Sequence, residues 1–192
     1  MLKKFFILSL FAGFILSFSS CNLQKKAGKD KDDPRIKQFN FNFYFLEANK
    51  QKILGNYNEA LQNYQMALNV DPKQAAVCYE IAGLLNLGRD YPAALDYAKR
   101  AVELDKTGNE YYMLLLAYIY QNNNLNQESL KVYEQLLKTH PKNIHYYFEI
   151  SNLYQADKKY SDAIKILDKA ESVFGVMDMI SVEKENIYHT IG

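Results

Sequence analysis

Apolar and polar side chains between residues 54 and 72 follow a helical pattern. Four apolar residues recur at intervals of four, three and one positions, which places them on one face of a helix. They are Ala60, Tyr64, Ala67 and Leu68. Gly55 can adopt the positive φ that ends a preceding helix, and Pro72 cannot continue a helix. The stretch therefore predicts a short amphipathic helix between two turns.

The same pattern returns three times at a nearly fixed interval. Its central small residue recurs after 34, 35 and 34 positions, at Ala60, Ala94, Ser129 and Ala163. The ends keep the same step, at Pro72, Lys106, Pro141 and Gly175, and we assign Gly55, Gly88 and Gly175 to turns. A second apolar pattern precedes each copy, so every unit predicts two helices. We expect an all-α fold with units at about residues 41–74, 75–109, 110–143 and 144–177 and a partial fifth unit at 178–192.

These units resemble the tetratricopeptide repeat (TPR) at the residues that pack its helices. The first-helix motif appears as Ile81-Ala82-x-x-Leu85, Leu116-Ala117-x-x-Tyr120 and Ile150-Ser151-x-x-Tyr154, and the second-helix motif as Ala60-x-x-x-Tyr64, Ser129-x-x-x-Tyr133 and Ala163-x-x-x-Leu167. The family's usual tryptophan is absent, and Tyr44, Cys78, Met113 and Tyr147 stand in its place. The resemblance implies a right-handed superhelical solenoid of antiparallel helix pairs with about 4.5 repeats and a concave groove lined by first helices.

The register shared with this family predicts which side chains line the groove. They are Phe45, Asn49, Tyr79, Asn86, Tyr111, Tyr118, Gln121, Asn122, Phe148, Asn152 and Gln155, with Asn42 at the start of the row. The set combines aromatic rings with amides and is nearly uncharged, which suits an extended peptide or a glycan. The family's lysine-rich clamp for acidic tails is not expected, because Phe45 and Ile53 stand where two of its lysines would lie.

The first twenty residues have the pattern of an export signal. Lys3 and Lys4 precede an apolar run of 14 residues, which is shorter than the ~20 that a membrane-spanning helix needs. Phe18-Ser19-Ser20-Cys21 resembles the lipobox of bacterial lipoproteins, which makes Cys21 the predicted lipidation site. An ordinary secretory signal with an incidental cysteine is the alternative. Residues 21–38 are mostly charged or polar and predict a disordered tether.

The chain also resembles the multi-repeat outer-membrane lipoproteins of Bacteroidetes. The matching segments are Tyr44-Phe45-Leu46-Glu47-Ala48 and Ile180-Ser181-Val182-Glu183-Lys184. The resemblance implies a cell-envelope protein on the periplasmic side or the cell surface, anchored by its lipid, that binds a peptide or partner protein in its groove. The alternative is a repeat sensor or delivery module of a larger secretion, signalling or glycan-handling system whose effector lies beyond residue 192.

The last segment and the reactive residues add further expectations. Residues 178–191 predict a first helix without its partner, so we expect a fragment with more repeats, with a lone capping helix as the alternative. Loss of residues 1–20 would remove two lysines and change the formal charge from +1 to −1, which leaves no basic field for nucleic acid. Cys78 falls on an apolar helix face, where burial is expected. Without metal-ligand spacing around the three histidines, or a nucleophile or phosphate motif, we predict no metal, cofactor or enzymatic activity; the oligomeric state stays open.

Overall fold

The computed structural model describes residues 33–192, and every regular element in that range is an α-helix. The helices are α1 (Pro34–Ile53), α2 (Tyr57–Val70), α3 (Ala75–Leu87), α4 (Tyr91–Leu104), α5 (Glu110–Asn122), α6 (Asn126–Thr139), α7 (Ile144–Ala156), α8 (Tyr160–Phe174) and α9 (Asp178–Ile191). The odd-numbered helices are the first helices of successive units, and the even-numbered helices are the second helices. The predicted all-α fold is confirmed for this part of the chain.

Contacts between residues divide the chain into Met1–Phe39 and Asn40–Gly192. Within Met1–Phe39 the structure describes residues 33–39. Helix α1 begins there at Pro34, and the Asp33 carboxylate accepts a hydrogen bond from the backbone N–H of Arg35 at 2.8 Å. The predicted disordered tether is therefore wrong for residues 34–38, because an aspartate followed by proline is a strong helix start despite the charged composition. The predicted signal (1–20), Cys21 and the rest of the tether lie outside the described residues.

Within Asn40–Gly192 the predicted packing faces form the core. Ala60, Tyr64 and Ala67 on α2 have no exposed surface, and the equivalent small residues Ala94 and Ala163 are also fully buried. Small side chains at these points let the two helices of a unit approach closely. Packing runs from each helix to its neighbours along the chain, in one cluster around α2 and α3, one around α4 and α5, and one from α5 to α9.

Each first helix from α1 to α7 ends in a turn that contains one left-handed residue. These residues are Gly55 (φ 79°), Arg89 (φ 63°), Asn124 (φ 57°) and Lys158 (φ 59°). They are 34, 35 and 34 positions apart, so the turn repeats with the helices. Gly88, the predicted turn glycine, has a right-handed φ of −74°, and the left-handed conformation falls on Arg89 instead.

Helix α9 packs on α8 through both apolar and charged contacts. Ile180 and Ile187 are fully buried, and the Lys184 ammonium lies 2.6 Å from a carboxylate oxygen of Asp168 and 2.6 Å from one of Glu171. The hydrogen bonds to Asp168 and then Glu171 raise the pKa of Lys184 above its usual value. The last described helix is thus held by a buried isoleucine pair and a cation between two carboxylates.

Candidate functional site

The predicted groove residues all lie on first helices, and none of them is fully buried. Phe45 and Asn49 (with Asn42) are on α1, Tyr79 and Asn86 on α3, Tyr111, Tyr118, Gln121 and Asn122 on α5, and Phe148, Asn152 and Gln155 on α7. We call these eleven residues and Asn42 the first-helix surface. Some of these side chains are exposed to solvent, and others form hydrogen bonds to residues of the protein itself.

Three of these residues are exposed, and their side chains form no hydrogen bond within the described part of the protein. The side chain of Tyr111 is 70% exposed and that of Tyr118 is 52% exposed, and Asn152 is also exposed. None of the three side chains makes a hydrogen bond to another residue in the range 33–192. Two phenol side chains on α5 and one amide on α7 are therefore available to a ligand.

Three predicted groove amides instead satisfy hydroxyl groups inside the protein. The hydroxyl of the fully buried Tyr64 donates to Asn49 Oδ1 at 2.8 Å, and Asn49 Nδ2 donates to the Phe45 carbonyl at 2.8 Å. Gln121 Nε2 donates to the hydroxyl of the buried Ser129 at 3.3 Å. An unpaired buried hydroxyl would destabilise the fold. Asn49 and Gln121 therefore stabilise the protein through these hydrogen bonds, in addition to lying on the first-helix surface.

Gln155 behaves in the same way on α7. Its Nε2 donates to the hydroxyl of the buried Ser151 at 3.4 Å and to Glu183 Oε1 on α9 at 2.9 Å. Ser129 and Ser151 are the places where serine replaces the alanine of the repeat pattern. Each replacement thus has a glutamine of its own unit as partner.

Contacts between neighbouring first helices tie the surface together. Asn122 Nδ2 on α5 donates to Asn86 Oδ1 on α3 at 2.7 Å. The rings of Tyr79 and Tyr112 lie 5.1 Å apart between the same two helices, an edge-tilted arrangement that stabilises aromatic pairs. Predicted groove residues from adjacent units are therefore brought together by direct contact.

An ion pair crosses the same side of the molecule between α1 and α3. Lys52 Nζ lies 2.6 Å from Glu80 Oε2, and both side chains are partly buried. The positive charge of Lys52 and the negative charge of Glu80 cancel, so the pair adds no net charge to the surface.

A cleft that the sequence did not predict opens beside this ion pair. It has a volume of about 400 Å³ and is lined by Lys52, Tyr57, Tyr79, Glu80, Gly83, Leu84, Leu87 and Leu115. We call it the Gly83 cleft. Gly83 lies inside α3, where glycine is about 1 kcal/mol less favourable than alanine. A Cβ added at Gly83 would meet no atom within 4 Å, so close packing does not require glycine.

The repeat register could have identified Gly83. It lies 34 residues after Asn49 and 35 before Tyr118, at the position that Asn152 occupies in the fourth unit. The predicted groove therefore names the equivalent residue in the three other units and omits this one, because glycine offers no side chain to line a groove. An unexplained glycine within a helical pattern was the available signal.

The histidines lie at a different place, around the turn between α6 and α7. His140 Nε2 is 3.6 Å from Glu110 Oε2, and the hydroxyl of Tyr146 donates to Glu110. A cleft of about 670 Å³ is lined by Glu110, Thr139, His140, Pro141, Lys142, Asn143, Ile144 and His145. No group of three or more metal-ligating side chains occurs among residues 33–192.

Cys78 is buried in α3, as the apolar pattern predicts. It has no exposed surface, and burial raises the pKa of its thiol above the usual value. The thiolate is therefore disfavoured in the folded protein, and Cys78 serves as a small apolar core residue.

Comparisons with known proteins identify the repeats. Two family models of the tetratricopeptide repeat match the chain, one over residues 52–109 and one over residues 111–143. No curated protein matches the sequence significantly. Within the described range, no helix is both long and apolar enough to cross a membrane.

Several solved structures share the fold at low sequence identity. YrrB, described as a TPR protein with an unusual peptide-binding site, is 13% identical with a TM-score of 0.63 over 88% of this chain and 82% of that chain. MamA from Desulfovibrio magneticus RS-1 is 14% identical with a TM-score of 0.65 over 77% and 83%. The first TPR of Spaghetti (RPAP3), bound to an HSP90 peptide, is 21% identical with a TM-score of 0.55 over 60% and 91%. Residues 52–109 and 111–143 thus match TPR repeats, and residues 40–192 fold as an all-α solenoid of such repeats.

Proposed function

We propose that this protein is an interaction scaffold that binds an extended segment of a peptide or partner protein on the first-helix surface. The observation that carries the proposal is that Tyr111, Tyr118 and Asn152 are exposed and that their side chains form no hydrogen bond within the described residues. Aromatic side chains supply large contact areas at a small entropic cost, and the phenol and amide groups supply donors and acceptors. This combination suits recognition of a polypeptide better than chemistry on a small substrate.

The solved relatives support a peptide ligand. YrrB is described by its peptide-binding site, and the Spaghetti domain was solved with the HSP90 peptide SRMEEVD. That peptide is acidic, whereas Phe45 and Ile53 here replace two lysines of the family's acidic-tail clamp, and Lys52 is paired with Glu80 at 2.6 Å. We therefore assign to this scaffold a target with little charge at the contact residues.

The test is selection from a displayed library of random twelve-residue peptides, followed by fluorescence anisotropy with the selected peptides. Replacing both Tyr118→Ala and Asn152→Ala should weaken binding at least about tenfold, because both side chains are exposed and make no hydrogen bond within the described part of the protein. The matched control replaces an exposed apolar residue and an exposed amide on second helices, Met66→Ala with Gln135→Ala, and should bind normally. Equal binding by the two double variants would refute the first-helix surface as the site.

We further propose that the scaffold is an outer-membrane lipoprotein anchored through Cys21. Support comes from the sequence alone: the basic and apolar residues 1–18, the lipobox-like Phe18-Ser19-Ser20-Cys21, and the outer-membrane lipoprotein resemblance. Several acyl chains, at about 0.8 kcal/mol per buried methylene, would give stable membrane attachment. In a bacterial host fed an alkyne fatty acid, the wild-type chain should become labelled and the Cys21→Ser chain should not. Labelling that persists in Cys21→Ser would contradict this anchor.

A further inference from the structure

The Gly83 cleft is a gap in an otherwise continuous row of side chains. The equivalent position carries Asn49 on α1, Tyr118 on α5 and Asn152 on α7, and only α3 has no side chain there. The backbone of Gly83 is ordinary helix, and a Cβ would find open space, so neither a left-handed conformation nor a close contact explains the glycine. What glycine does at this position is leave the cleft open.

The surroundings of the cleft are already in place without a ligand. Tyr79 is packed against the ring of Tyr112 at 5.1 Å, and Glu80 is bound to Lys52 at 2.6 Å. A site whose walls are held by other contacts loses little freedom when a ligand enters. The part of the cleft formed by Tyr79, Glu80 and Lys52 is thus held in place before a ligand binds.

The lining combines apolar side chains with two tyrosines and one paired cation and anion. Leu84 is nearly buried, while Tyr57 is 47% exposed and Leu87 is 58% exposed, so apolar surface continues from the protein interior to solvent. The ionisable groups of opposite sign at the cleft, Lys52 and Glu80, neutralise each other. A charged ligand group would have to give up water without gaining an unpaired partner, whereas an apolar group would gain from burial.

The cleft is large enough to take one bulky side chain of a longer ligand. Its volume of about 400 Å³ lies at the lower end of the about 300–1,000 Å³ of small-molecule sites. It adjoins the first-helix surface, because Tyr79 belongs to both. A peptide that crosses that surface can therefore place one bulky side chain beside Gly83.

We propose that the Gly83 cleft accepts a bulky uncharged side chain, of the leucine or phenylalanine type, from the peptide that the scaffold binds. This inference rests on the proposed function and adds to it the residue class that sets specificity. Recognition by this cleft separates targets with an apolar anchor from targets that are charged at the same point.

The test uses single-residue probes and methyl NMR of the whole chain. N-acetyl-leucine amide and N-acetyl-phenylalanine amide, at millimolar concentration, should shift the methyl signals of Leu84, Leu87 and Leu115. N-acetyl-aspartate amide and N-acetyl-lysine amide should give at least about tenfold weaker binding at those signals. Equal shifts with charged and apolar probes, or no shift with the apolar probes, would overturn the proposal.

Two glycine variants separate a filled cleft from a damaged fold. Gly83→Leu should abolish the shifts because its side chain occupies the cleft, while Gly83→Ala should raise the melting temperature by about 2–4 °C, since alanine favours the helix. Gly88→Ala, at the end of the same helix, should leave the shifts unchanged, because its Cβ would meet only backbone atoms at 3.5 Å or more. Persistent shifts in Gly83→Leu would place the probes elsewhere and refute the cleft.

The library peptides distinguish failure of this inference from failure of the scaffold. Selected peptides that lose affinity at least about tenfold in both Gly83→Leu and the Tyr118→Ala/Asn152→Ala chain support the cleft as an anchor site. Peptides that lose affinity only in the double variant would refute the cleft and leave the scaffold in place.

Discussion

The left-handed residues at the ends of the first helices make a matched set for measuring backbone strain. Gly55, Arg89, Asn124 and Lys158 hold the same turn position with φ between 57° and 79°, but only the first is glycine. A residue with a Cβ is strained in this region, because the Cβ approaches the following carbonyl oxygen. Replacing Arg89→Gly or Lys158→Gly should therefore raise the free energy of unfolding.

The magnitude follows from two opposing terms. Left-handed geometry costs a residue with a side chain about 1–2 kcal/mol, and glycine adds back about 0.4–1 kcal/mol through the freedom of the unfolded chain. We expect a net gain of about 0.5–1 kcal/mol for Arg89→Gly and for Lys158→Gly. Asn124→Gly should change stability little, because asparagine tolerates this region. Gly55→Ala should show the opposite sign, since its Cβ would meet no atom within 4 Å and only the φ strain remains.

The assay is urea denaturation followed by helical circular dichroism, with thermal melts alongside. For a chain of this size the expected gain corresponds to about 1–4 °C in melting temperature. The m-value must stay constant, because repeat proteins can unfold in parts and a changed slope would make the midpoints incomparable. Gly88→Ala is the control, since φ at Gly88 is −74° and alanine is acceptable there. Destabilisation by Arg89→Gly, or severe destabilisation by Gly88→Ala, would refute the assignment of strain to Arg89.

Three further predictions concern the core and the last helix. Tyr64→Phe should lower the free energy of unfolding by about 0.5–1.5 kcal/mol in urea denaturation, because the bond from its hydroxyl to Asn49 is lost; an unchanged midpoint would count against that bond. In a Cys21→Ser chain, Cys78 should resist a disulfide reagent at about pH 8 until urea unfolds the protein, since burial raises the pKa of its thiol; rapid labelling of the native chain would be inconsistent with this. Lys184→Met should speed amide exchange in α9, and unchanged exchange would show that its ion pairs do not hold the helix. The pKa of Lys184 is raised in the folded state, so its contribution is complete below about pH 10.4 and is lost only as pH rises through the higher folded value. The difference in the free energy of opening of α9 between Lys184→Met and wild type should therefore stay constant from about pH 6 to 9.

The fold could be predicted from the periodicity of apolar residues, because the buried positions repeat with the helices. The apolar pattern predicts that Ala60 and Tyr64 lie on a packing face, and both are fully buried in the structure. The composition of the charged segment around Asp33 and Pro34 predicts disorder, but the local start signal favours a helix, and α1 begins there. A short capping signal thus outweighed the average composition around it.

The candidate site could be predicted less completely than the fold. The register placed Tyr118 and Asn152 on the first helices, and the structure shows both exposed. It could not tell that Gln121 bonds the hydroxyl of Ser129, because an amide can face a ligand or a buried hydroxyl at the same helical position. The repeat motif does not indicate Gly83, because the motif is defined by side chains and the cleft forms where one is absent.

The glutamine–serine pairs have a consequence for how such arrays change by duplication. Gln121 meets Ser129, and Gln155 meets Ser151, inside one unit each, so copying or deleting a whole unit moves donor and acceptor together. The Asn122–Asn86 bond joins two units, and a recombination between them would separate its partners. Because Asn86 and Asn122 are only partly buried, water can replace the lost bond. These two glutamine–serine contacts are thus inherited within a unit, whereas the bond between Asn86 and Asn122 depends on the junction, where water can take its place.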